Sequence, residues 1–250
     1  MGFKLFELGR VGSTNDVARE LASRGWPEWT VVVAEEQTSG RGRFGREWIS
    51  PRGGLWFSII LRPRLDRGDL QLLPLVAGLA VAETLSSLYG LDAELRWPND
   101  ILIGGRKVCG ILVENSFSGE ELLSSIVGIG INANFGLEEL PEGVREGATT
   151  LLYELGHPVD LGELLSACLS SFRSYYEVLL RGEKALLLSR VRELLGLPVE
   201  VVLSEGELTF SGLALDLADN GSLLVRLPDG TTRPFGPSST VLSWLRLKRA

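Results

Sequence analysis

The spacing of apolar positions predicts that helices and strands alternate over the first 195 residues. Apolar residues three or four positions apart predict four helices, at 13–25, 70–88, 160–181 and 184–195. Short β-branched and apolar runs predict six strands, at 30–34, 54–61, 93–97, 101–103, 108–113 and 124–131. The polar, glycine-rich segment 36–51 joins two of these strands, and its length predicts a functional loop.

Beyond Gly196 the pattern changes to short β runs. Four strands are predicted there, at 199–203, 209–215, 223–227 and 240–245. The dipeptides that favour two-residue hairpin turns are Glu205-Gly206, Asn220-Gly221 and Asp229-Gly230. The chain is therefore predicted to divide into two domains, 1–195 and 196–250, the second being a small all-β barrel.

A predicted hairpin with a glycine turn at 104–105 brings an acid and a base together. A two-residue turn there places Asp100 opposite Cys109. Because side chains alternate with a period of two, Asp100 and Lys107 then share one face of the sheet. They form either a surface ion pair, worth about 0–1 kcal/mol, or a binding site. In the second case Asp100 holds Mg²⁺ and Lys107 holds a phosphoryl or carboxylate oxygen.

The segment 39–46 concentrates glycine and arginine between two predicted strands. Its glycines leave backbone N–H groups free to surround an anion, and Arg41, Arg43 and Arg46 add charged donors. The alternative is an arginine- and glycine-rich arm that binds nucleic acid. The net charge of −7 argues against a nucleic-acid-binding surface over the whole protein. Trp48, just after this loop, either stacks on a purine base or belongs to the core.

The composition excludes several other classes of site. Two cysteines and one histidine are too few for a Cys/His zinc site or a disulfide framework. The absence of a disulfide framework is typical of proteins in a reducing cytoplasm. The first residues lack the pattern of a signal peptide. The longest apolar stretch, 72–85, has 14 residues and contains Pro74 and Glu83, so no membrane span is predicted. We expect a cytoplasmic protein.

Five motifs occur in an order that resembles the biotin protein ligase family, the biotin–[acetyl-CoA-carboxylase] ligases. They are STN at 13–15, EEQTSGRGRFGREW at 35–48, WPNDIL at 97–102, RKVCGILVE at 106–114 and GIGIN at 128–132. The resemblance implies an α+β fold. A class II synthetase-like catalytic domain with a mixed sheet would bind biotin and ATP at 1–195, and an SH3-like barrel would form 196–250. Cys109 departs from the pattern, where Ala or Ser is expected.

The resemblance also implies a two-step reaction. Biotin and ATP, with Mg²⁺, give biotinyl-5′-AMP and pyrophosphate, and the biotinyl group then passes to a lysine of a biotin carboxyl carrier protein. Because the first motif begins at residue 13, we expect a monofunctional enzyme without the DNA-binding domain that some members carry. The resemblance further implies a homodimer. The alternatives are a lipoate–protein ligase, which would need a different glycine-rich signature, and a non-enzymatic RNA-binding module.

Sixteen residues receive roles from this resemblance. Lys107 is implied to bridge the biotin carboxylate and the α-phosphate, Arg43 to bind the same two groups, and Asp100 to hold the metal. The residues implied to bind biotin or nucleotide are Ser13, Thr14, Asn15, Gln37, Gly40, Arg41, Gly42, Arg46, Trp48, Asn99, Gly110, Gly128 and Asn132. Of these, the first four are implied to bind the ureido ring of biotin, Trp48 to stack on adenine, and Asn132 to bond the nucleotide.

Overall fold

A mixed sheet of seven strands organises the first part of the chain. The computed structural model describes residues 2–246, so residues 247–250 of the predicted second domain lie outside the described part. The strands are β1 (Lys4–Val11), β2 (Thr30–Gln37), β3 (Leu55–Leu61), β4 (Ala93–Arg96), β5 (Asp100–Ile103), β6 (Arg106–Ser118) and β7 (Glu121–Ile131). Their order is β1-β2-β3-β7-β6-β5-β4. Only the β1–β2 pair among these described strands is parallel.

Seven helices accompany this sheet within residues 2–246. They are α1 (Thr14–Ser23), α2 (Arg67–Leu70), α3 (Leu73–Tyr89), α4 (Glu142–Arg145), α5 (Leu151–Leu155), α6 (Leu161–Leu180) and α7 (Lys184–Leu195). Helix α6 begins as predicted, because the Asp160 carboxylate accepts hydrogen bonds from the backbone N–H groups of Gly162 and Glu163. Ser13 occupies the N-cap position of α1 but makes no capping bond with its side chain.

The main core lies between one face of the sheet and helices α3, α6 and α7. Helix α3 buries 11 of its 17 residues, as expected of a helix that protein encloses over most of its length. The helical segment Arg67–Tyr89 has 23 residues, longer than the apolar stretch identified in the sequence, and by length and composition alone it is long enough to cross a membrane. Of its most apolar window, 67% is buried inside the protein, which is the environment of a core helix.

The opposite face of the sheet is covered in two separate places. Helix α1 packs Ala18 and Ala22 against Val32, Ile60 and Ile126. Further along the same face, a second cluster forms around Trp56, Phe135, Leu140 and Ala148. The face between these two clusters is left open for a cavity.

The last five strands form a separate antiparallel sheet. They are β8 (Val199–Glu205), β9 (Leu208–Leu217), β10 (Leu223–Arg226), β11 (Thr232–Phe235) and β12 (Thr240–Arg246), in the order β11-β10-β9-β8-β12. The three predicted hairpin turns fall between strands of this sheet. Over the described residues no pairing of β11 with β12 closes it, so the predicted barrel is an open sheet here.

The two sheets share one apolar core. Val199, Leu217 and Phe235 of the second sheet belong to the same buried cluster as α3 and β7. The indole N–H of Trp97 donates a hydrogen bond to the carbonyl of Gly221, with 2.9 Å between the heavy atoms. Gly196 caps the end of α7 and marks the predicted domain boundary. Because the core continues across this boundary, the division into two domains stays a prediction.

Candidate active site

A cavity of about 250 Å³ lies on the open face of the first sheet. Its walls come from α1, the glycine/arginine loop 39–46, the β4–β5 turn and strands β6 and β7. Of the sixteen predicted residues, fourteen line this cavity: Ser13, Thr14, Asn15, Gln37, Arg41, Gly42, Arg43, Arg46, Trp48, Asn99, Asp100, Lys107, Gly110 and Gly128. Gly40 and Asn132 do not line it. Residues up to 115 positions apart in the sequence thus meet in one place.

One end of the cavity has an uncharged polar wall. Gln37 Oε1 accepts a hydrogen bond from the backbone N–H of Thr14 (2.8 Å) and lies 3.1 Å from the Thr14 hydroxyl oxygen. Ser58 Oγ lies 2.7 Å from Thr14 Oγ1 and 2.6 Å from Asn15 Oδ1. Thr14, Asn15 and Ser58 are buried. The hydrogen bonds among these side chains therefore fix their orientations. This wall can offer donors and acceptors to a polar but neutral group.

Three glycines let side chains lie directly on the sheet. Gly110 and Gly130 are paired across β6 and β7, and the Trp48 indole covers both, so that a Cβ at position 130 would come within 2.5 Å of its Nε1. A Cβ at Gly128 would overlap the amide of Asn15. Gly110 and Gly128, which the resemblance implied to bind the ligand, thus make room for the protein's own Trp48 and Asn15.

Gly128→Ala is expected to destabilise the fold, because the new methyl group cannot coexist with the Asn15 amide in its present position. Overpacking of this kind costs about 1–3 kcal/mol. The matched control is Gly68→Ala in helix α2, where a Cβ would meet nothing within 4 Å. Urea unfolding measures the free energy of unfolding of both variants. Equal values would show that Asn15 moves away from the new methyl group without a cost in stability.

The opposite end of the cavity is charged. Lys107 Nζ lies 2.6 Å from Asp100 Oδ1, and Arg96 Nη2 lies 2.7 Å from Asp100 Oδ2. Burial acts to raise the pKa of the Asp100 carboxyl, but Lys107 and Arg96 outweigh it, so this pKa lies below its ordinary value. The predicted meeting of Asp100 and Lys107 is confirmed.

The predicted register of this hairpin is wrong by one residue. Lys107 pairs with Leu102 as expected, but a bulge at Val108 then shifts the strands, so Asp100 faces Gly110 instead of Cys109. An extra residue in one strand bends it and increases its twist. Asp100 and Lys107 still contact each other across the bulge.

Backbone contacts hold Lys107 in place from behind the cavity. Its N–H donates to the Gly147 carbonyl (2.8 Å) and its carbonyl accepts from the Thr149 N–H (2.9 Å). The Asn132 side chain donates to the Thr149 carbonyl at 3.0 Å and approaches the Lys107 carbonyl at 3.5 Å. Asn132 therefore fastens the segment that carries Lys107, and its predicted contact with a nucleotide has no support from its position.

The three arginines of the loop have different partners. Arg41 forms a two-pronged ion pair with Asp16, at 2.6 and 2.7 Å, and this bond raises its pKa above the ordinary value. Arg43 donates to Asn99 Oδ1 (3.1 Å) and to the carbonyls of Ser239 (2.9 Å) and Pro237. Its burial lowers its pKa. The exposed Arg46 has no ion pair with any described residue.

Gly40 has a structural reason for being glycine. A Cβ there would collide with the Trp48 carbonyl and approach Ser50 Oγ to 2.7 Å, and the Gly40 carbonyl accepts the Trp48 N–H at 2.9 Å. The loop folds back on itself at this point. Gly40 thus shapes the loop without lining the cavity.

The donor set around Asp100 does not fit a resident magnesium ion. Both of its oxygens already contact cations, and a metal placed there would meet the charges of Lys107 and Arg96. Within residues 2–246 no three acidic, histidine or cysteine side chains are grouped to hold a metal. Protein sites for Mg²⁺ otherwise use one or two carboxylates and complete the shell with substrate phosphates and water.

The same chain matches known proteins along most of its length. The model of the biotin/lipoate A/B protein ligase family covers residues 8–132. A biotin–[acetyl-CoA-carboxylase] ligase from Paracoccus denitrificans is 35% identical over 231 residues, which is 89% of this chain and 94% of the relative. This chain belongs to the biotin/lipoate A/B protein ligase family. The resemblance found in the motifs is confirmed.

Solved structures within the family extend the likeness to the fold. Biotin protein ligase from Aquifex aeolicus, in complex with biotin and ATP, superposes with a TM-score of 0.80 at 34% identity, covering 95% of this chain and 98% of that one. The bifunctional ligase/repressor BirA of Bacillus spizizenii is 35% identical over 237 residues, which is 94% of this chain and 73% of the relative.

Several residues in or next to the cavity wall were not predicted from the sequence. Ser58 lies behind the polar wall, in contact with Thr14 and Asn15, and Arg96 pairs with Asp100. Thr240 and Val241 of β12 also line the cavity, so the second sheet contributes to it. Ser58 is one polar residue in a buried seven-residue strand, and that was the available signal, since a buried hydroxyl needs a partner.

Proposed function

We propose that this protein is a biotin–[acetyl-CoA-carboxylase] ligase. It activates biotin with ATP to give biotinyl-5′-AMP and pyrophosphate, and it transfers the biotinyl group to a lysine of a biotin carboxyl carrier protein. The observation that carries this proposal is that a neutral polar wall and a group of cations face each other in one cavity. Family relatives named as biotin ligases support it.

The neutral wall suits the ureido ring of biotin. That ring has one carbonyl acceptor and two N–H donors and carries no charge. Thr14, Asn15 and Gln37 supply both kinds of partner, and their mutual hydrogen bonds keep them in place before the ligand arrives. Such preorganisation lowers the free energy that binding must spend on ordering side chains.

The charged end suits the reacting groups. In the first step a biotin carboxylate oxygen attacks the α-phosphorus of ATP, and the bond from that phosphorus to the pyrophosphate oxygen breaks. Both reactants are anions that repel each other. The Lys107 ammonium, held by Asp100 at 2.6 Å, is placed to attract both and to stabilise the charge that develops. Arg43 and Arg46 provide further charge for the phosphates.

In the second step the lysine amine of the carrier attacks the acyl carbon. The bond from that carbon to the phosphate oxygen breaks, AMP leaves, and the nitrogen loses its proton as the amide forms. The mixed anhydride reacts with water as well, so the site must exclude water until the carrier arrives. The loop that carries Arg43 is the segment placed to do this, since it lies over the cavity.

The proposed function also includes a metal ion, a base-stacking residue, a C-terminal module, an oligomeric state and a location. Magnesium enters with ATP as the MgATP substrate, since substrate phosphates and water supply ligands to Mg²⁺. Trp48 stacks on adenine. The open C-terminal sheet corresponds to the SH3-like module implied for 196–250, with the catalytic domain at 1–195. Homodimer formation and a cytoplasmic location complete the proposal.

Biotin-dependent exchange of labelled pyrophosphate into ATP tests the activation step. We expect exchange with biotin and MgATP, and none when lipoate replaces biotin. Transfer of biotin to a carrier domain, followed by mass spectrometry, tests the second step. Exchange that depends on lipoate would favour the lipoate–protein ligase alternative, and no exchange with either acid would contradict both.

A further inference from the structure

A carboxylate outside the cavity determines how one cavity side chain is oriented. Asn15 Nδ2 donates to Glu114 Oε2 at 2.7 Å, while Asn15 Oδ1 lies 2.6 Å from Ser58 Oγ. Glu114 is on β6 and Asn15 on α1, 99 positions apart in the sequence. Glu114 itself is absent from the cavity wall.

The position of Glu114 follows from the period of the strand. Gly110 and Leu112 of β6 line the cavity, and side chains two residues apart point to the same face. Glu114 comes next on that face, beneath the first turns of α1. Its other oxygen, Oε1, lies 2.8 Å from Arg19 Nη2, which fixes the carboxylate against the helix.

An ionised carboxylate can only accept hydrogen bonds, and this decides the orientation of the amide. Asn15 must turn its NH₂ group towards Glu114, so its oxygen faces Ser58 and Gly128. The amide oxygen also only accepts, so the Ser58 hydroxyl donates to it. The hydroxyl oxygen of Ser58 then remains free to accept from Thr14, at 2.7 Å. One carboxylate thereby sets the direction of the hydrogen bonds along this wall.

The same carboxylate is linked to the glycine/arginine loop. Glu114 Oε2 lies 3.6 Å from Arg41 Nη2, and Arg41 holds Asp16 with both of its terminal nitrogens. Arg19 bridges Asp16 (2.9 Å) and Glu114 (2.8 Å). Two acids and two arginines thus form a neutral cluster that joins the polar wall to the base of the loop.

We propose that Glu114 is a positioning residue for biotin, acting through Asn15. This inference rests on the proposed function. With Glu114 in place, the polar wall presents an acceptor oxygen at Asn15, as a ureido N–H donor requires. A neutral amide at position 114 could donate or accept, so Asn15 would populate both orientations and the wall would lose its match to biotin.

Glu114→Gln tests this with almost no change in shape. We expect the KM for biotin in pyrophosphate exchange to rise about tenfold or more, with the KM for ATP and kcat within twofold of the parent. The matched control is Glu121→Gln, an exposed position on the same hairpin, which should change none of these values. A rise in both KM values, an unchanged biotin KM or an unfolded variant would overturn the proposal.

A reversed pair makes the test specific to the orientation of the amide. Asn15→Asp alone places two carboxylates together and should raise the biotin KM strongly. In Asn15→Asp/Glu114→Gln, the new amide at position 114 donates to the new carboxylate at position 15, whose second oxygen again faces Ser58. We expect the double variant to have a lower biotin KM than Asn15→Asp, and additive effects would contradict the inference. A parent without biotin-dependent exchange would contradict the proposed function itself, whereas failure of the Glu114 inference shows only in the variants.

Discussion

Lys107→Met is expected to lower biotin-dependent pyrophosphate exchange by roughly 10²–10³-fold, the usual effect of removing one group that stabilises developing charge. The variant should stay folded, because Arg96 still pairs with Asp100 at 2.7 Å. The methionine keeps the length and apolar character of the side chain, so its packing over Trp48 is retained apart from the cation–π contact, in which Nζ lies 4.9 Å from the ring centroid.

The chain offers a matched control for this substitution. Lys4 also lies over a tryptophan, with Nζ 4.7 Å from the Trp26 ring centroid, but it is on the edge strand β1, away from the cavity. Lys4→Met should therefore exchange pyrophosphate like the parent. Parent-like exchange by Lys107→Met, with unchanged KM values, would reduce Lys107 to a structural partner of Asp100.

Arg43→Gly is expected to form biotinyl-5′-AMP but to release it early. The guanidinium fastens the loop to Asn99 on one side and to the carbonyls of Pro237 and Ser239 on the other. A hydrogen bond to a charged group contributes about 1.5–3 kcal/mol, so losing one should speed release roughly 10- to 150-fold. The free adenylate then acylates any amine it meets.

The measurement is a blot for biotin on an inert, lysine-rich bystander protein mixed with enzyme, biotin and MgATP. Labelling should rise with Arg43→Gly while transfer to the carrier domain becomes less efficient. Arg52→Gly is the matched control, since its side chain is 69% exposed and pairs only with acids outside the cavity among the described residues. Bystander labelling at the parent level, with adenylate still formed, would show that Arg43 does not retain the intermediate.

Local sequence patterns predicted most elements because each carried its own signal. The start of the third predicted helix at 160 and the helix over 184–195 are confirmed. Strand β1 was missed, since only Phe6, Leu8 and Val11 are partly buried and the rest of this edge strand is exposed. Strand β11 was missed because it contains Pro234, a residue tolerated at a sheet edge and untypical of strands.

Local sequence patterns could not predict the interactions between segments that are distant in the sequence. The bulge at Val108 shifts the register beyond the turn, and the rule for two-residue turns does not predict it. Arg41 was predicted to bind the ligand, yet its guanidinium forms an ion pair with Asp16 of helix α1. Glu114 meets Asn15 only after α1 has packed on the sheet. Motifs located the site, whereas the partners that orient its side chains depend on the assembled fold.

The shared core makes the C-terminal sheet more than an appendage. Val199 and Phe235 are fully buried in the same cluster as α3, and Trp97, next to the β4–β5 turn, is hydrogen-bonded to Gly221. Opening one half of this cluster would expose apolar side chains of the other half to water. We therefore expect the two sheets to melt cooperatively and the amide hydrogens of β8 to exchange with solvent on the same timescale as those of β7.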